Sequence, residues 1–314
     1  MIKLYPHQKT LYDEIIQTTQ KYNNVLAQAD TGFGKSILIG ELSNNLQGRS
    51  LILVHRIELL NQNSEWINDL GILHADIKKV QPLKMRSNVI SMAETLVSRI
   101  KKHGPNYLGQ FDNIICDEVH VDFFKKVYDQ LEFKKLIAFT ATPIINKLEK
   151  KMVGADEYVR KVSLKGEFDF LCQGISTKKL IELGYLTKDF NIQLTPPNLE
   201  KLISSKTTPD GYTSLSLSEV FGSHASLESV FEGYNTYLKG KKTLIFNPTT
   251  KVNKEMYDFF TDRGVPVKMY DSVNKVEGQT RKGITDWFKS TDDAVLLNVG
   301  VFTTGFSVDD LMGI

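Results

Sequence analysis

Ala27-Gln-Ala-Asp-Thr-Gly-Phe-Gly-Lys-Ser36 is the stretch on which the reading of this chain turns. The apolar run Asn24-Val25-Leu26-Ala27 leads into it, and Ile37-Leu38-Ile39 follows as the start of a buried helix. Strand, glycine-rich turn and helix form the context that a phosphate-binding loop requires. Gly32 and Gly34 let the backbone turn its N–H groups inward, and the new helix adds its positive end. Lys35 can then reach the outer phosphates, and the Ser36 hydroxyl can ligate Mg²⁺. Ala29 stands where such loops usually carry their first glycine, so a plain helix start remains open on this stretch alone. No charge partner for Lys35 is evident in its neighbourhood along the chain.

The chain has 314 residues, more than one core usually serves, so two domains are expected. Hydrophobic residues make up 41% and charged residues 24%, as in ordinary globular proteins. Lys and Arg number 39 against 37 Asp and Glu, and a net charge of +2 leaves any basic surface local. Cys116 and Cys172 lack metal-ligand spacing, and Cys116 lies in the apolar run Ile114-Ile115-Cys116, which reads as a buried, inert thiol. A reducing, cytoplasmic setting fits. No run is long enough to cross a bilayer, and residues 1–20 lack a signal-peptide layout.

Upstream of the loop, Leu4-Tyr5-Pro6-His7-Gln8 opens a helix with Leu11, Ile15 and Ile16 on one side. The Gln8 amide offers a donor and an acceptor side by side, which matches the N6 and N7 edge of adenine. A solvated helix glutamine is the alternative. Downstream, Ser50-Leu-Ile-Leu-Val-His-Arg56 reads as a buried strand that delivers His55 and Arg56 at its carboxyl end. Arg56 is then placed to touch a backbone phosphate or to start a helix in solvent. Val89 to Leu96 reads as another strand running into a helix. Arg99, Lys101, Lys102 and His103 read as a solvated face.

The run Phe111-Asp-Asn-Ile-Ile-Cys-Asp-Glu-Val-His120 ends a strand on two adjacent carboxylates, Asp117 and Glu118. Neighbouring acids are costly to hold together unless a cation or proton lies between them. Mg²⁺ resolves this, with Asp117 in its shell and Glu118 free to polarise water. The strand Leu136-Ile-Ala-Phe-Thr-Ala-Thr-Pro143 then ends in hydroxyls at Thr140 and Thr142, able to bond the motifs on either side or simply to close a turn. Residues 144–175 carry charge runs and lose alternation, which puts the domain boundary near residue 165. Leu180-Ile-Glu-Leu-Gly-Tyr-Leu-Thr187 reads as a helix stopped by Gly184 and a new strand. Residues 196–224, rich in Ser, Thr, Pro and Gly, read as a mobile loop with short helices. Strands at 242–247, 265–270 and 294–298 then alternate with helices near 251–260 and around Ile284, Trp287 and Phe288, predicting a second parallel sheet.

Taken in order, Gln8, Ala29–Ser36, His55-Arg56, Asp117-Glu118-Val119-His120, Thr140–Pro143 and Thr303-Thr304-Gly305 resemble the motifs of superfamily 2 helicases of the DExH type. Gly184-Tyr185-Leu186 looks like the approach to the second domain in type III restriction and phage branch-migration helicases. The resemblance implies an α/β fold of two RecA-like parallel-sheet domains, spanning 1–165 and 166–314, the second incomplete. It implies ATP and Mg²⁺ as cofactors, with Gln8, Thr31, Gly32, Phe33, Gly34, Lys35, Ser36 and Gly305 at the nucleotide. Ser36 and Asp117 would hold the metal, and Lys35, Asp117 and Glu118 would carry the chemistry. His55, Arg56, Thr95, Asn247, Thr249 and Thr303 would track nucleic acid, with His120, Thr140, Thr142 and Thr304 coupling the two sites.

Ser307 stands where the resembled family has an acid, and its last motif, a helix with two arginines, has no counterpart among Arg160, Arg263 and Arg281. The chain therefore reads as cut within its second domain, and it is expected to bind ATP while hydrolysing it poorly. The activity expected is ATP-driven strand separation or branch migration of forked or branched DNA by a monomer, away from membranes. An RNA helicase and an ATP-gated binding protein are the alternatives. No nuclease site or zinc cluster is present in the sequence.

Overall fold

The computed structural model describes residues 2–75, 83–119, 124–150, 157–188, 190–193, 199–203, 207–208, 211–274, 280–302, 308 and 311–314. The chain divides into two compact units, Met1–Asp189 and Phe190–Ile314.

In the first unit α1 (Pro6–Thr18) precedes β1 (Asn24–Gln28), followed by α2 (Lys35–Asn45), β2 (Ser50–Val54), α3 (Ile57–Ser64) and β3 (Leu70–Leu73). Then come β4 (Asn88–Met92), α4 (Ala93–His103), β5 (Asn113–Cys116), α5 (Lys125–Tyr128) and β6 (Lys135–Thr140). An antiparallel pair, β7 (Ile144–Lys150) with β8 (Glu157–Ser163), separates these from β9 (Phe170–Gln173) and α6 (Thr177–Glu182). Apart from that pair the strands form one parallel sheet in the order β3-β4-β2-β5-β6-β1-β9.

Such a sheet is buried on both faces, which is why its strands read as nearly continuous apolar runs. Alternate residues feed opposite layers: Leu51, Leu53, Ile114 and Cys116 pack with Leu96 and Ile100 of α4. Ile52, Val54, Ile115 and Phe139 pack with Leu11, Ile15, Leu38, Leu42 and Leu60 from α1, α2 and α3. Cys116 is fully buried and free, and burial pushes its thiol well above the ordinary range.

The first unit runs past the sequence-derived boundary at 165. Strand β9 pairs with β1 from Val25↔Phe170 to Gln28↔Gln173, so residues 166–189 complete the first sheet and its cover. The charged hairpin that interrupts the alternation is an insertion within this unit. Residues 185–188 are not strand; Tyr185 and Leu186 fold back on the unit instead, with the Leu186 N–H bonded to the Leu180 carbonyl.

The second unit contains α7 (Leu199–Ile203), the short pair β10 (Thr207–Thr208) and β11 (Gly211–Tyr212), α8 (Ser214–Phe221) and α9 (His224–Gly233). The described part of 196–224 holds the short helices expected there together with a hairpin, and Ser218 and Val220 of α8 are buried. Next come β12 (Thr243–Phe246), α10 (Thr250–Thr261), β13 (Val267–Tyr270), α11 (Arg281–Ser290) and β14 (Val295–Asn298). The three strands form a parallel sheet in the order β12-β14-β13. Val295 and Leu297 face a core with Met256, Phe259 and Phe260, while Leu296 faces Ile284 and Phe288.

Candidate nucleotide and nucleic-acid site

Because β1, β2, β4, β5 and β6 are parallel, their carboxyl ends lie on one edge of the first sheet. There β1 runs into the glycine-rich loop, β2 into His55-Arg56, β4 into the turn of α4 that bears Thr95, β5 into Asp117-Glu118 and β6 into Thr140–Pro143. The first-unit candidates among the described residues that the sequence scatters over more than a hundred positions therefore share one edge.

The loop is held from several directions. Gly32 and Gly34 have φ of 82° and 90°, the left-handed region that favours glycine. At Gly34 a Cβ would also sit 2.2 Å from Gln8 Nε2, so the position excludes a side chain twice over. Among the described residues the N–H groups of Gly32, Gly34, Lys35 and Ser36 donate no backbone hydrogen bond, as expected at the start of a helix. They are the donors an anion would use. The Phe33 ring is buried against His7 and Gly174, so Phe33 serves as the anchor of the loop. Its N–H bonds the Asp30 carbonyl at 3.2 Å. Asp30, unremarkable in the sequence, accepts from the N–H and hydroxyl of Thr177 at 2.8 Å each, tying the loop to α6.

Gln8 is 2% exposed rather than solvated. Its Nε2 donates to the Phe33 carbonyl at 3.0 Å, and its Oε1 accepts from the Tyr5 N–H at 2.9 Å. An amide carries two donors and two acceptor sites, so one of each remains for a base edge. Around it His7 packs on Tyr185 at 4.4 Å, with Tyr5 5.3 Å from Tyr185. Burial holds the His7 imidazole below its ordinary pKa.

Lys35 has a partner that the sequence did not reveal. Its Nζ lies 2.8 Å from Glu118 Oε1 and donates to the Ala29 carbonyl at 3.3 Å. Glu118 has φ of 59°, uncommon for a residue with a side chain. The turn is imposed from both sides, by Asp117 N–H to the Leu53 carbonyl and Val119 N–H to the Phe139 carbonyl. Such imposed strain is typical of functional sites. Asp117 is buried; its Oδ2 accepts from Asn63 Nδ2 at 3.0 Å, and its Oδ1 has no hydrogen-bond partner among the described residues. Burial raises its carboxyl to about 6, opposed by the Asn63 hydrogen bond and the Lys35 charge. A buried carboxylate oxygen left over beside a lysine fits a cation held mostly by phosphates and waters, which is how Mg²⁺ is usually bound. Ser36 is also buried at the start of α2.

The Thr140 hydroxyl donates to the Thr142 carbonyl, and the Thr140 carbonyl accepts from Ala29 N–H, so β6 grips the loop through its backbone. In the second unit, Asn247 and Thr249 are buried and bonded within their own unit. Asn247 Nδ2 donates to Asn253, which donates to Asp271, and the Thr249 hydroxyl caps α10 and bonds Ser218. His120, Thr303, Thr304 and Gly305 lie outside the described residues.

Residues 1–145 match the family described as "Type III restriction enzyme, res subunit". A Saccharomyces cerevisiae protein named "Putative ATP-dependent helicase IRC3" is 26% identical, covering 95% of this chain and 44% of its own length. A "51.5 kDa protein" of a Lactococcus phage is 22% identical, covering 91% of this chain and 57% of its own. The chain thus spans about half the length of these relatives. A solved fragment described as "a putative HsdR subunit of a type I restriction enzyme from Vibrio vulnificus YJ016" covers 96% of this chain and 55% of its own, at 18% identity and a TM-score of 0.61, a likeness of fold. In its first 145 residues the chain is thus similar to the type III restriction res subunit family, and over most of its length to an ATP-dependent helicase.

Proposed function

We propose that this chain is the motor of an ATP-driven helicase or translocase acting on DNA. The observation that carries the reading is the shared sheet edge, where Lys35 and Glu118 meet at 2.8 Å beside the unbonded loop N–H groups. Gly32, Gly34, Lys35 and Ser36 would bind the phosphates of ATP, and Gln8 the adenine edge. Ser36 and Asp117 would hold Mg²⁺, which when bound neutralises charge developing on the phosphates. Glu118 would polarise the attacking water once the triphosphate has drawn Lys35 away from it.

On the same edge Arg56, His55 and Thr95 would contact the nucleic-acid backbone. Binding through phosphates is sequence-blind and salt-dependent. The likeness of residues 1–145 to a restriction-enzyme subunit favours DNA over RNA. Phosphate release measured without nucleic acid, with single-stranded DNA, with forked DNA and with RNA tests the proposal. Stimulation by DNA that vanishes in Lys35→Ala supports it. Stimulation by RNA alone reassigns the substrate, and release unaffected by Lys35→Ala refutes the site.

A further inference from the structure

We infer that Asn63 is a positioning residue for the metal site, fixing which oxygen of Asp117 is offered to the Mg²⁺ of a bound nucleotide. The inference rests on the reading of Asp117 given above. A carboxylate has two equivalent oxygens on one soft torsion, so pairing the backbone of β5 does not by itself decide which oxygen faces the site. The Asn63 amide does: Nδ2 holds Oδ2 at 3.0 Å and leaves Oδ1 over.

The donor is itself immobilised. Asn63 is 0% exposed in the last turn of α3, whose Leu59 and Leu60 are in the core. Its carbonyl accepts from the Trp66 N–H, and the Trp66 carbonyl accepts from Asn44 Nδ2 of α2 at 2.9 Å. Trp66 lies so close to α2 that a Cβ on Gly40 would be 2.4 Å from its own Cβ. Asn63 is therefore stapled to the helix that begins at Lys35 and Ser36, and it joins the phosphate-loop helix to the metal carboxylate.

A packing role alone does not account for the residue. Burying an amide costs stability unless its polar atoms are paired, and Asn63 Oδ1 has no hydrogen-bond partner among the described residues. Leucine, with the same branching and the same number of side-chain heavy atoms, would occupy the place without that cost. Removing a hydrogen-bond partner of a metal-binding carboxylate typically weakens the metal about 10–100-fold.

The test uses Mn²⁺ as the probe, titrated by electron paramagnetic resonance into the protein–ADP complex, for the parent, Asn63→Leu and Asn63→Ser. ADP binding in EDTA and thermal midpoints are measured alongside. Asn63→Leu is expected to weaken Mn²⁺ about 10–100-fold, leave ADP binding in EDTA unchanged and melt no lower than the parent. Asn63→Ser, which keeps a shorter donor but leaves a cavity, is expected to melt lowest yet lose less Mn²⁺ affinity. Metal affinity that follows the melting order, or is unchanged in whichever variant folds, overturns the inference alone. A parent complex that binds ADP but no Mn²⁺ overturns the metal-site reading and this inference with it.

Discussion

Lys35 reaches two of its own chain's oxygens, on Glu118 and on Ala29, before any phosphate is considered. The pair is mostly shielded, so parting it needs a competitor of higher charge, and a triphosphate is one. Glu118→Gln should therefore bind ATP at least as tightly as the parent in a calorimetric titration, because Lys35 is no longer held by a carboxylate. Its phosphate release should fall by about 10²–10⁴, the usual worth of a general base. Turnover at the parent rate would place the base elsewhere. Asp117 supplies a second residue-level test. Its folded pKa, about 6, lies above the ordinary carboxyl value of 3.8. The charged form is thus penalised in the folded state, fully above pH 6 and not at all below the unfolded pKa. Asp117→Asn should stabilise the metal-free protein at pH 8 by up to about 3 kcal/mol, two pKa units' worth, the gain fading towards pH 4. Urea melts at both pH values check this; an equal gain at pH 4 would assign the effect to packing. Asp117 and Glu118 stood out in the sequence as charges ending an apolar run. Their pairing with Asn63 and Lys35 did not, because strand order, which no local pattern encodes, brings those side chains there.

At the scale of elements, the strands were the most legible feature, since a doubly covered parallel sheet leaves an apolar signature on each one. The connections were less so. A lysine-rich hairpin, β7–β8, breaks the alternation without ending the unit, and β9 is too short and too exposed on three of its four residues to announce its place beside β1. The amino-terminal edge of the sheet depends on one side chain that the sequence leaves unremarkable. The Arg49 guanidinium donates to the carbonyls of Leu83, Arg86, Leu108 and Gln110 and lies 4.6 Å from the Phe111 ring centre. A lysine ammonium cannot span four carbonyls with a planar fork. Arg49→Lys should lower unfolding stability by roughly 2–3 kcal/mol by stranding several of them. ATP affinity should be unaffected, because the loop is at the other end of the strands. A stability loss within error of zero would show these bonds to be replaceable by water.

For the whole molecule, the division between Asp189 and Phe190 makes residues 166–189 part of the nucleotide unit: β9 flanks β1, Asp30 ties to α6, and Leu186 covers Gly32. A fragment of residues 1–189 should fold and bind ATP, whereas one ending at residue 165 should bind more weakly and melt lower. Equal behaviour of the two in calorimetry would make the segment dispensable. One sheet edge is expected to couple a nucleotide to nucleic acid. Coupling of this kind is reciprocal and typically amounts to about 5–150-fold in affinity. The most direct measurement is the affinity of Glu118→Gln for forked DNA, by fluorescence anisotropy, with and without ATP and Mg²⁺. A shift of at least about fivefold in either direction, absent when Lys35→Ala is added, is the result predicted. Identical DNA affinity under nucleotide saturation, or no DNA binding at all, would contradict it.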